Sequence, residues 1–306
     1  MLTRRTLLKS AFIAGGSLGL SRLPVFGKAV FRLQDNPPLY RFLFCNDIHV
    51  MKEADAEHLG KFIDDVNTVP DLFDFLVVCG DMGQVGTEDE LMLSKTQLDR
   101  LKKPFYTVMG NHDVTGGSKA DREPYYNTFG SNRENYVIEH KGVGHIYMDI
   151  TNGKSSRVTV PQATVDWLKN ALTKLDENLP LIVFNHFPLH KDAPEYTAVD
   201  ADKIFNLLDS RNVLAYFNGH WHGRWKGQRN GTDHFCNACM SNSRDNHTFG
   251  PAWYKEKWED MTEGYLLVDV FADGVGTTFY EYGQVPDLKS LPPVTIGFPK
   301  EVTCLT

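Results

Sequence analysis

The sequence predicts an α/β protein whose strands end in metal-ligating residues. Three observations carry this reading. Strand-like and helix-like segments alternate through the first two thirds of the chain. Five apolar runs each stop on Asp, Asn or His. Late in the chain the pattern changes to two β-rich runs around a tight turn. Ligands of open α/β folds bind beyond the carboxyl ends of the strands, so five such ends predict one cluster there.

The first run, Arg41 to Cys45, leads to Asp47 and His49. Ala54 to Val66 then has helical spacing, with Leu59, Phe62, Ile63 and Val66 on one face. Phe75 to Cys79 leads to Gly80-Asp81. Glu88 to Leu101 repeats the helical spacing through Leu91, Leu98 and Leu101. Phe105 to Met109 leads to Gly110-Asn111-His112-Asp113. Asn135 to Glu139 and His145 to Ile150 read as neighbouring strands joined by a turn at Lys141-Gly142. Pro161 to Leu175 is the clearest helix, with Pro near its start and Val165, Leu168, Leu172 and Leu175 aligned. Leu181 to Phe184 leads to Asn185-His186. After a short helix at Asp202 to Leu208, Val213 to Phe217 leads to Gly219-His220-Trp221-His222. Tyr265 to Val270 and Gly276 to Tyr282 flank Ala272-Asp273-Gly274 and read as an antiparallel hairpin. With no internal repeat and no low-complexity linker, one domain is expected over 38–283, followed by a tail over 284–306.

The chain has 306 residues, 42% of them hydrophobic, which suits one large domain. Its net charge is −7. Residues 1–29 hold five basic residues and no acid, so the remainder stands at −12, which argues against long nucleic acid as a partner. Thr3-Arg4-Arg5-Thr6-Leu7-Leu8-Lys9 is a basic head, Ala11 to Leu20 an apolar stretch, and Gly27-Lys28-Ala29 a small-residue cleavage site. The paired arginines resemble a bacterial Tat signal over 1–29. The expectation is a periplasmic or otherwise exported protein that meets the Tat translocon already folded. No run reaches the roughly 20 apolar residues of a membrane span, so no stable span is expected.

Asp47-Ile48-His49 places two ligands at i and i+2, which an extended segment would point the same way; His220 and His222 repeat this. Gly80, Gly110 and Gly219 each precede a ligand, where a missing Cβ lets the backbone crowd a site. Carboxylates mixed with imidazoles suit Mn, Fe, Zn or Co better than Ca. The seven candidates are Asp47, His49, Asp81, Asn111, His186, His220 and His222. They exceed the needs of one ion, and two divalent ions sharing Asp81 is the economical arrangement. Of five cysteines, Cys45 and Cys79 read as buried apolar filler. Cys236 and Cys239 form a lone C-x-x-C that supports zinc weakly and leaves a disulfide open, and Cys304 lies in the tail.

The ordered set D-x-H, G-D, G-N-H-D, H and G-H-x-H, from roughly Tyr40 to Gly223, resembles the calcineurin-like metallophosphoesterases. The C-terminal hairpin also looks like theirs. The resemblance implies a four-layer α/β/β/α sandwich of two mixed sheets. It implies that Asp47, His49 and His222 bind one ion, that Asn111, His186 and His220 bind a second, and that Asp81 bridges them. His112 would be the general acid and Asp113 its orienting partner, so that Asn111, His112 and Asp113 form a catalytic stretch. The implied reaction is hydrolysis of a small-molecule phosphoester by metal-activated hydroxide. Gln84 stands where purple acid phosphatases carry Tyr, and His49 where they lack His. The motifs therefore look more like the cyclic-nucleotide-type phosphodiesterases, and a phosphodiester substrate is expected. The alternatives are a phosphomonoesterase or pyrophosphatase on the same site, or a non-catalytic metal-binding envelope protein, which the intact His112 and Asp113 argue against.

Two segments could wall the cleft or be ordinary ordered loops. One holds Pro188, His190, Lys191 and Tyr196. The other, Ser241 to Asp260, holds Arg244, His247, Trp253, Tyr254, Lys255 and Trp258. Arg224 and Trp225 are further rim candidates, and Trp221 reads as packing.

Overall fold

Strand β1 (Tyr40–Cys45) is buried along its whole length, with Phe42 and Phe44 facing one apolar layer and Leu43 and Cys45 another. A strand that is apolar on both faces is a strand covered on both faces. The computed structural model describes residues 37–193, 198–241 and 262–292 and the backbone of 303–305. The expected leader, Tyr196, and the stretch from Arg244 to Trp258 lie outside the described residues.

After β1 the chain forms α1 (Glu53–Val66), β2 (Phe75–Cys79), α2 (Glu88–Leu98) and β3 (Phe105–Val108). The three strands pair in parallel, β1 to β2 and β2 to β3. Next come α3 (Glu123–Phe129), β4 (Tyr136–His140), β5 (Val143–Met148), α4 (Gln162–Lys174), β6 (Leu181–Asn185), α5 (Asp202–Leu208) and β7 (Val213–Asn218). The chain then forms β8 (Trp225–Arg229), β9 (Thr232–Cys236), β10 (Gly264–Phe271), β11 (Gly274–Glu281) and β12 (Thr303–Leu305). The first sheet runs β11-β10-β1-β2-β3, and the second β12-β4-β5-β6-β7-β9-β8. Both are mixed. β10 extends the first antiparallel to β1 and β11 pairs antiparallel with β10, whereas β5, β6, β7 and β9 form the parallel centre of the second.

The two sheets face each other across an aromatic layer. Phe42, Phe44, Phe75 and Val77 of the first sheet meet Tyr147, Ile182, Phe184 and Phe217 of the second. Phe184 lies 5.7 Å from Phe42 and stacks on Tyr147 and Phe217 at 4.9 and 5.5 Å between ring centroids. The outer face of the first sheet carries α1 through Leu59, Phe62 and Ile63, and α2 through Leu91 and Leu98. The outer face of the second carries Leu168 of α4 and Ile204, Phe205 and Leu208 of α5. The layers are therefore helix, sheet, sheet, helix, the sandwich that the resemblance implied.

Several expectations are adjusted. The helix expected to reach Leu101 ends at Leu98, where Asp99 to Leu101 close into turns through Lys95, Gln97 and Leu98 carbonyls. The strand expected at His145 to Ile150 lies two residues earlier, because it starts directly after the Lys141-Gly142 turn, both residues of which have positive φ. The β8–β9 hairpin, turned at Asn230-Gly231, and the short α3 were not anticipated. The expected tail carries β12, which pairs antiparallel with β4 through Thr303, Cys304 and Leu305. No described helix is long and apolar enough to cross a membrane.

Truncating Phe184 to Ala removes a ring from the middle of the inter-sheet layer. The expected loss is about 3–5 kcal/mol of stability, read as a lower urea midpoint with an unchanged slope. A loss below about 1 kcal/mol would mean that the layer closes over the cavity.

Candidate metal centre

Five strand ends deliver the polar residues, and they come from both sheets. Asp47 follows β1, Asp81 follows β2 and Asn111 follows β3 in the first sheet. His186 follows β6 and His220 follows β7 in the second. Two sets of side chains result. Asp47, His49, Asp81 and His222 form one and Asp81, His186 and His220 the other, with the donor atoms of each set within 4.8 Å of one another. Asp81 belongs to both. Asn111, an amide, is 2% exposed, and its buried Oδ1 makes no hydrogen bond.

The local backbone is the reverse of the extended geometry expected for Asp47-Ile48-His49. Asp47, His49, Asp81, His220 and His222 all have φ between 53° and 67°. Among the described residues only two other non-glycine positions have positive φ, Lys141 and Asn230, and both are hairpin turns. Left-handed conformations in residues with a Cβ cost of order 1–3 kcal/mol each and persist where the surroundings impose them. The side chains of Asp47 and His49 still converge, His49 Nε2 lying 3.7 Å from Asp47 Oδ1, but by tight turning rather than by strand alternation.

The glycines explain how these turns pack. A Cβ at Gly80, itself at φ +82°, would fall 2.2 Å from His186 Nδ1. At Gly110 it would fall 2.2 Å from Asp81 Oδ1. Neither space exists for alanine.

Backbone carbonyls set the imidazole tautomers. A carbonyl only accepts, so His186 donates from Nδ1 to the Cys79 carbonyl at 2.9 Å, and His220 from Nε2 to the Ser156 carbonyl at 3.1 Å. His186 Nε2 and His220 Nδ1 are thereby left to turn inward, the arrangement that fixes ring orientation around metals. Asp47 Oδ2 accepts the His220 N–H at 2.9 Å and the side-chain amide of Asn46, while Oδ1 is buried without a hydrogen bond.

Electrostatics favour a positive charge at the centre. Burial works to raise the Asp47 carboxyl, but His222 and His186 beside it prevail and hold it well below the usual range. Asp81 is lowered likewise against its burial, by His186 and then His49. Burial alone would depress His186, yet Asp81 and Asp47 lift it to about 10. His220, desolvated and beside His186, is pushed down to about 3. Two ionised carboxylates thus sit among imidazoles with inward nitrogens and orphaned oxygens. A buried anionic site of this kind is satisfied by cations, and the donor set of carboxylate, amide and imidazole fits divalent transition ions.

His112 and Asp113 do not form the expected pair. His112 Nδ1 donates to the Gln84 carbonyl at 2.6 Å. Both Asp113 oxygens are spent on backbone N–H groups: Asp81 at 2.8 Å, Met82 at 2.7 Å, Gly83 at 3.0 Å and Gly110 at 2.9 Å. Asp113 therefore ties the exit of β2 to that of β3. Burial and the Asp81 charge push its carboxyl up to about 7, while the amides of Gly83 and Gly110 hold it down. The half-buried His112 ring lies 4.9 Å from that of His49, beside the first set.

Other candidates resolve differently. Cys45, Cys79, Cys236 and Cys239 are all buried thiols outside any disulfide, and none belongs to either set. His190 is 6% exposed, with Nε2 at 3.1 Å from the Gln228 carbonyl and its ring against Trp225, which makes both parts of the packing beneath β8. The Arg224 guanidinium lies 3.9 Å over the Phe279 ring, and Trp221 is 2% exposed.

The profile of the calcineurin-like phosphoesterases matches residues 40–224. A protein of Arcobacter nitrofigilis, named a probable glycerophosphodiester phosphodiesterase, is 27% identical over 163 residues, which are 51% of this chain and 59% of the relative. The chain thus spans little more than half of that relative's length. A 3′,5′-cyclic-nucleotide phosphodiesterase of Nostoc is 25% identical over 74% of this chain and 82% of its own. A dimetal phosphatase of Danio rerio superposes with a TM-score of 0.58 at 14% identity, covering 80% of this chain and all of that one, a likeness of fold alone. With its sandwich, its two ligand sets and this match over more than half its length, the chain belongs to the calcineurin-like phosphoesterase family.

Proposed function

We propose that this protein is a hydrolase that cleaves a small-molecule phosphodiester with two divalent ions. The observation that carries the reading is the sharing of Asp81 by two ligand sets with His112 beside them. Asp47, His49, Asp81 and His222 would hold one ion. Asp81, Asn111, His186 and His220 would hold the other, and Mn, Fe, Zn and Co all suit these donors. Bound there, such ions acidify water and neutralise charge on the phosphoryl oxygens.

The remaining work falls to the chain's own groups. With Nδ1 donating to the Gln84 carbonyl, His112 presents Nε2 to the site. In its doubly protonated form His112 gives the Nε2 proton to the leaving alkoxide, as the oxygen of water, its own proton released to solvent, bonds to phosphorus and the P–O bond breaks. Asp113 keeps the two turns in register, and the His186 and His220 carbonyl partners keep the rings aimed.

Two arguments favour a diester. The named relatives are diesterases. No arginine or lysine lies within the motifs D-x-H, G-D, G-N-H-D and G-H-x-H themselves, so the ions would supply most of the positive field, which suits the single charge of a diester better than the near-double charge of a monoester. The proposed organisation is a leader over 1–29, a catalytic domain over 38–283 and a tail over 284–306. Export through the Tat route is proposed on the residues of the leader, above all Arg4 and Arg5.

Three outcomes are expected. Asp81→Ala should lower metal content at both positions, whereas His220→Ala should lower it at one. Elemental analysis after gel filtration, with circular dichroism to confirm folding, decides this, and near-full occupancy in Asp81→Ala removes the bridging role. Across Mn, Fe, Zn and Co, kcat/KM for bis-p-nitrophenyl phosphate should exceed that for p-nitrophenyl phosphate. A monoester preference with every metal would reassign the enzyme as a monoesterase. Replacing Arg4-Arg5 with Lys-Lys should retain active enzyme in the cytoplasm, and unchanged periplasmic activity on fractionation would remove the export reading.

A further inference from the structure

The chain between the end of β2 and the start of α2 has five successive backbone N–H groups, from Asp81 to Val85. Every one donates to a carboxylate. Asp113 takes the first three. Glu90 takes the last two, its Oε2 lying 3.1 Å from Gln84 N and 2.8 Å from Val85 N. Glu90 comes from the first turn of α2, where its own N–H lies 3.4 Å from the capping Thr87 Oγ1. It is 9% exposed, an uncommon setting for a glutamate whose role is solvation. Ser94, one turn further along α2 and fully buried, donates to the Met82 carbonyl at 2.9 Å.

The two carboxylates hold different things. Asp113 fixes Asp81, a member of both ligand sets, and its neighbours. Glu90 fixes the Gly83–Gln84 peptide unit and the Gln84–Val85 unit, which contains the Gln84 carbonyl, and that carbonyl is the acceptor for His112 Nδ1. If the Gln84–Val85 segment turned, the carbonyl would leave His112 and the ring would be free to rotate or change tautomer. Asp81 would remain held by Asp113.

We propose that Glu90 is a positioning residue for the reaction, acting through the Gln84 backbone to keep the His112 ring aimed at the leaving group. This rests on His112 being the proton donor. A proton donor matters most when the leaving group is a poor one, so the effect of Glu90 is selective for such substrates.

The test uses the metal-loaded enzyme and aryl phosphodiesters with p-nitrophenol and unsubstituted phenol as leaving groups. For Glu90→Ala the expected result is wild-type metal content and KM. The fall in kcat should be about 10-fold for the phenyl ester and about 2-fold for the p-nitrophenyl ester, within the roughly 10²–10⁴-fold that general acid catalysis supplies. Glu90→Gln keeps an acceptor oxygen and should recover part of the loss. In the background of His112→Ala, Glu90→Ala should add nothing, because two residues acting through one device are not additive. Equal losses on both esters, or a full further loss on top of His112→Ala, would overturn the proposal. If Glu90→Ala loses metal, the same two criteria apply to Glu90→Gln. His112→Ala run alone separates the two ideas. Without a leaving-group-dependent loss in that variant, His112 is not the acid and the inference about Glu90 falls with it. With such a loss in His112→Ala but not in either Glu90 variant, the acid stands and Glu90 is structural.

Discussion

A buried backbone must satisfy its polar groups, and in this protein that demand is met at the site by carboxylates rather than by a neighbouring strand. Past Cys79 the first sheet has ended, yet the chain stays buried from Gly80 to Gly83 before it reaches α2. Its N–H groups have no ladder to join. Asp113 and Glu90 supply the missing acceptors, and they do so from two different elements, the turn after β3 and the first turn of α2. The position of Asp81 follows from this. So does the position of Gln84, and through its carbonyl that of His112.

The same economy governs the ligands. Three imidazoles have one nitrogen spoken for by a main-chain carbonyl, Cys79 for His186, Ser156 for His220 and Gln84 for His112. The carboxylate of Asp47 is divided, one oxygen bound by a backbone N–H and an amide, the other left bare. The protein thus spends half of each functional group on orientation and leaves the other half for chemistry. The left-handed turns at five ligand positions are the conformational cost of aiming short side chains inward from strand ends.

Much of this was legible in the residues. Five strand ends were readable because an apolar run followed within three residues by a ligand, in three cases directly after a Gly, is a local pattern. The helices α1 and α4 were readable from their spacing. What was missed was non-local. The partner of His112 is a main-chain carbonyl, and no residue type marks which carbonyl will be close. Asp113 was read as that partner from the family resemblance, whereas the backbone amides of Asp81 to Gly83 and of Gly110 take both of its oxygens. The i, i+2 argument reached the right convergence of Asp47 with His49 by the wrong conformation. The hairpin at Asn230-Gly231 carried a turn signal, but Trp225 to Arg229 is too polar to read as a strand, since β8 is a half-exposed edge.

The order of strands in the first sheet has a consequence for biosynthesis. β1 lies between β2 and β10, and β10 begins at residue 264, more than two hundred residues after β1. Until the ribosome has released that strand, β1 is an open edge, and the loop carrying Asp47 waits likewise on Met240, whose N–H donates to the Asn46 carbonyl. Domains generally fold as units as they emerge. Here the unit closes only when its last third is available, so a nascent chain that has already made all seven ligands still has no finished site to receive metal.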